Sequence, residues 1–70
     1  MDIGNIAGIV WRTLSKNNQG MLLDELKSDS GLSEFEIALG VGWLARENKI
    51  WITEQDGAPL RFHVECESYY

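Results

Sequence analysis

His63 and Cys66 are the only histidine and the only cysteine among the 70 residues, and between them they bound the chemistry this chain can do. A nucleophile relay needs a base and an orienting acid gathered around the attacking group, and a structural zinc site needs about four ligands. Neither can be assembled around His63 at any recognisable spacing, so it is read as a surface residue sharing one strand face with Arg61 and Glu65. A single cysteine excludes an internal disulfide and a thiolate cluster and fits a reducing compartment. Cys66 is therefore read as a half-buried thiol near the end of the chain. The glycines fall in turns and in one helix, without a phosphate-loop or dinucleotide pattern. Catalysis also requires convergent groups in a pocket, for which a chain this short has scant room. No catalytic residue, metal, nucleotide cofactor or small-molecule substrate is expected. Trp51, Tyr69 and Tyr70 could stack single-stranded bases, but Glu54, Glu65 and Glu67 beside them oppose it. Trp51 is expected to pack against the domain or a partner.

What remains is recognition, and charge constrains the partner. Eleven acidic and six basic side chains give a net charge of −5, a field that repels phosphate on average. A domain of this length buries only about 60% of the surface its unfolded chain exposes, so its core is thin. Three Trp, two Phe and two Tyr exceed what such a core needs, which makes association between copies a natural outlet. Met1-Asp2-Ile3-Gly4-Asn5 lacks the basic region of a signal peptide, and no run approaches the ~18 apolar residues of a membrane span. The expectation is a cytoplasmic protein without membrane contact.

The elements that position these residues follow from periodicity. Ile3, Ile6, Ala7, Val10, Trp11 and Leu14 mark one helical face, predicting a first helix over about 2–16. Asp2 is its expected N-cap, Asn17 to Gly20 its stop, and Ile9 its exposed apolar residue. Met21-Leu22 reads as a very short strand, followed by a second helix over about 22–29. Gly31 supplies the positive φ of a tight turn, with Leu32 as its apolar plug. Ser33-Glu34-Phe35-Glu36 is a capping box that starts a third helix over about 34–47, and Asn48 is placed to end it in the left-handed region. The period then changes to two. Strands are expected at about 50–54 and 60–65, joined through Asp56-Gly57 and Pro59. All 70 residues are expected to form one domain.

Helix, short helix, glycine turn, capped helix and hairpin in this order resemble an α+β winged helix-turn-helix: three helices followed by a two-stranded β-hairpin wing. Leu32-Ser33, Ile37, Val41, Leu44, Asn48 and Ile50 carry the likeness most specifically. More narrowly, Ala38 to Ile50 (ALGVGWLARENKI) resembles the signature of a small bacterial and archaeal family of stand-alone winged-helix proteins. The resemblance implies a regulatory role and no particular ligand, so the site must be argued from its residues.

At about 100° per residue, Ile37, Val41 and Leu44, flanked by Ala38 and Ala45, form the core face of the third helix. Phe35, Leu39 and Trp43 make a second apolar stripe roughly 160° around, with Arg46 at its end. A DNA-reading helix presents Arg, Lys, Asn, Gln or Ser on that side. Here the positions hold Phe35, Glu36, Leu39, Gly40 and Trp43. With Arg46, these residues are expected to form a protein interface, most simply with a second copy of the chain, and Gly40 and Gly42 are expected to allow close approach of its backbone. The competing arrangement has the first helix and the wing covering both sides. The alternative partner is DNA, contacted through Arg46, Lys49 and Arg61, with Arg12 and Lys16 on the first helix. Against it, Arg46 and Lys49 also complement the dipole at a helix C-terminus.

Overall fold

The computed structural model describes residues 2–17, 19–54 and 56–64. Its elements run α1 (Ile3–Ser15), β1 (Met21–Leu22), α2 (Leu23–Ser30), α3 (Glu34–Arg46), β2 (Ile50–Thr53) and β3 (Arg61–Val64). The tail from Glu65 to Tyr70, with Cys66, lies outside the described residues.

Each helix begins and ends where its local chemistry directs. The Asp2 carboxylate accepts from the Asn5 amide at 3.2 Å, satisfying one of the orphan donors at the start of α1. In the capping box of α3 the Glu36 amide donates to the Ser33 hydroxyl at 3.1 Å, and the Ser33 amide donates to the Glu36 carboxylate at 2.9 Å. The turn between α2 and α3 closes at Gly31, whose φ of 76° is left-handed and whose amide donates to the Lys27 carbonyl. Asn48, with φ 59°, ends α3 and starts the wing.

α1 packs on α3 across the centre of the molecule, and Val10, Leu14, Leu26 and Ile37 are its most deeply buried large side chains. Leu32 packs against this core from the α2–α3 turn, as its position as a plug predicts. The apolar pattern of α1 needs three corrections. Ile3 and Trp11 lie at the margins of the buried face and stay exposed, while Ile9, expected outside, is half-buried.

The wing is larger than a hairpin. Met21 pairs with Phe62 and Leu22 with Arg61, so β1 joins β3 and makes a three-stranded antiparallel sheet ordered β1-β3-β2. Its inner face presents Met21, Ile50 and Phe62 to the core, and its outer face carries Leu22, Trp51, Thr53, Arg61 and His63. A central β3 ties the wing to the start of α2, fixing the sheet against the helices.

Candidate protein interface on the third helix

α3 has two faces of unlike construction. Ile37, Gly40, Val41 and Leu44 are buried, and by the helical repeat they cluster on one side. Opposite them Phe35, Ala38, Gly42, Trp43, Ala45 and Arg46 are exposed and Leu39 is half-buried. Phe35 leaves 64% of its surface in solvent and Trp43 44%. Apart from Arg46, this outward face is made of apolar or small residues.

Three residues change sides relative to the sequence expectation. Gly40 is not part of the outward surface: a Cβ there would lie 3.0 Å from Val10 Cγ2, 3.2 Å from Ile6 Cγ2 and 3.4 Å from the Ala7 Cα. Its missing side chain lets α1 and α3 approach within the domain, so the close contact it serves is intramolecular. Ala38 and Ala45, expected beside the core, face outward instead. With Gly42, around whose Cβ position nothing lies within 4 Å, they form a strip of small residues alongside the stripe of large side chains. Glycine and alanine carry too little hydropathy to be assigned a side by periodicity; only the position of α1 decides it.

The charged residues at the ends of α3 have structural occupations. Glu36 is committed to the capping box, and Glu34 lies 3.7 Å from Lys27 in an exposed ion pair that contributes little. Both carboxylates favour the helix N-terminus through its dipole. Arg46 and Lys49 are exposed at the other end, and Arg12 and Lys16 are exposed on and after α1. Arg61 is half-buried on the outer face of the sheet, where its Nη1 donates to the Gly20 carbonyl at 3.3 Å. The three cations proposed for DNA therefore do not form one equivalent set: Arg61 is held by its own domain, whereas Arg46 and Lys49 are not buried.

His63 and Trp51 are a further departure. They face each other across β2 and β3 and stack, with ring centroids 4.2 Å apart and planes inclined by 11°. His63 also hydrogen-bonds Thr53 Oγ1 through Nε2 at 3.1 Å and packs so tightly on Gly20 that a Cβ there would fall 2.6 Å from its ring. The strand pattern alone predicts a solvated surface histidine; in the fold His63 is half-buried, with Trp51 stacked on its ring and Gly20, 43 residues away in sequence and without a local signature, packed against it.

Comparison with known proteins finds both a family and similar solved structures. The family model described as "Winged helix-turn-helix domain (DUF2582)" matches residues 1–61. The solution NMR structure of protein BT2368 from Bacteroides thetaiotaomicron is similar with a TM-score of 0.81 and 37% sequence identity, covering 97% of this chain and 84% of that one. No curated protein matches. Among the described residues no helix is long and apolar enough to cross a membrane.

Proposed function

The chain belongs to the DUF2582 family of winged helix-turn-helix domains, and on that footing we propose that it is a non-enzymatic recognition module of regulatory type whose α3 binds a second copy of the same chain. The winged helix-turn-helix is typically a regulatory or DNA-binding fold and generally a non-enzymatic one. The observation that carries the reading is the outward face of α3, where Phe35 and Trp43 stand exposed on either side of Leu39. Aromatic side chains supply much of the energy of protein interfaces, and the strip of Ala38, Gly42 and Ala45 lets a second helix come close. A two-fold pairing in which each copy sets its aromatics against the other's strip needs no partner beyond the chain itself.

Charge supports the same choice. In a DNA reader this face would bring donors to base edges and cations to phosphates. Arg46 is the one cation on the face, in a chain of net charge −5. The rival reading rests on the fold and on the exposure of Arg46 and Lys49 near the end of α3.

Sedimentation equilibrium across a range of concentrations decides between them. Wild type is expected to be a dimer and Trp43→Glu a folded monomer, because one charge per copy would be buried in each half of the contact. A wild type that stays monomeric at high concentration would sink self-association. Duplex DNA at low salt is expected to show no binding; tight binding that falls steeply with added salt would establish the rival.

A further inference from the structure

The outer face of the sheet holds a pocket lined by Leu22, Thr53, Ala58, Pro59, Arg61 and His63. Register places Arg61 in the central strand with Leu22 beside it on β1 and Thr53 on β2. One N–H of its guanidinium is fixed by the Gly20 carbonyl. A guanidinium has five donors in a rigid fork, so this bond orients the group without exhausting it. The neighbouring polar groups are ordered as well. The Thr53 hydroxyl lies 3.4 Å from the Arg61 carbonyl and 3.1 Å from His63 Nε2, within hydrogen-bond reach of both. Trp51 stacks on that ring and Gly20 packs against it. Among the described residues the one ion pair joins Lys27 to Glu34, and none of their carboxylates pairs with Arg61.

We propose that this pocket binds a small organic carboxylate, with Arg61 taking the carboxylate and Leu22, Ala58 and Pro59 taking a compact apolar body. Arginine matches a carboxylate with two parallel N–H···O bonds, and a cation already oriented loses little freedom on binding. One formal positive charge lines the pocket, which suits a monoanion. A phosphate dianion would bring a second negative charge into a chain that is already acidic, with Glu54 and Asp56 next in sequence to the lining strand and loop.

Benzoate is the probe, with benzyl alcohol as its uncharged counterpart and inorganic phosphate as the dianion, each titrated into the full chain and followed by amide NMR. Benzoate is expected to give saturable shifts at Thr53, Arg61 and His63 in the millimolar range, and the other two at least about tenfold weaker responses. Arg61→Gln removes the charge and keeps a polar side chain at the strand position; Ala58→Asp, in the exposed loop, sets a carboxylate beside Arg61 without disturbing the strand. Both are expected to weaken benzoate at least about tenfold. If Arg61→Gln does not fold, the exposed Ala58→Asp variant carries the test alone. Non-saturable shifts, equal binding of benzyl alcohol or phosphate, or undiminished benzoate binding in a folded variant would each overturn the proposal.

Discussion

The two glycines of α3 sit two residues apart and serve opposite faces. Gly40 looks inward, where α1 presses against it; Gly42 looks outward, where nothing lies near it. A glycine inside a helix costs about 1 kcal/mol relative to alanine, and only for Gly40 does the domain itself supply a reason. The same contrast holds for their large neighbours. Ile37 is 1% exposed and packed into the core, whereas Phe35 is 64% exposed. One helix thus carries a face the monomer needs and an apolar face the monomer leaves uncovered.

The largest expected effect breaks the inner face. Ile37→Ala removes a buried side chain and leaves a cavity, lowering the unfolding free energy by about 2–5 kcal/mol. Phe35→Ala, measured by urea denaturation in the same dilute solution, is expected to stay within about 0.5 kcal/mol of wild type. Equal losses for the two would mean that Phe35 is covered within one copy, and the two-face description would fail.

Next comes Gly40→Val. Two γ-methyl groups on a β-branched side chain cannot turn away from Val10 and Ile6, whose γ carbons already stand 3.0 and 3.2 Å from the Cβ position. Overpacking of this kind costs about 1–3 kcal/mol, more than the few tenths that valine gains over glycine in helix propensity. A thermal melt at or above the wild-type midpoint would show that α1 can retreat freely, and Gly40 would lose its role as a spacer.

The sequence made the strongly patterned parts of this contrast legible. Ile37, Val41 and Leu44 announce the core face, Phe35, Leu39 and Trp43 the outward stripe, and Ser33 with Glu36 the start of the helix. Such features depend on residues a few positions apart and on side chains with a decided preference for water or oil. The side taken by Gly40, Ala38 and Ala45 depends instead on where α1 lies, which no local spacing encodes. For the same reason local spacing predicts a hairpin where a three-stranded sheet stands. Met21-Leu22 is too short for any period, and its pairing with Phe62 and Arg61 spans some forty residues of chain. The ordering of Arg61 and His63 by Gly20 belongs to that long-range closure too, so the pocket became visible only with β1 in place.

The smallest expected effect is the most discriminating, because its sign depends on which state is measured. Gly42→Ala adds a methyl group to open space in a helix interior. For the isolated domain this is expected to raise the unfolding free energy by about 0.5–1 kcal/mol, since alanine loses less backbone entropy and the helix has room for it. In a dimer that brings a second helix against the Ala38–Gly42–Ala45 strip, the same methyl group would stand in the contact. Dissociation measured by sedimentation should then become easier while the melting of dilute protein shifts upward. A variant gaining in both measurements would place the second copy elsewhere on the molecule. One losing in both would mean that Gly42 is covered within the domain. Opposite responses from one methyl group are what an outward face kept clear for a partner predicts.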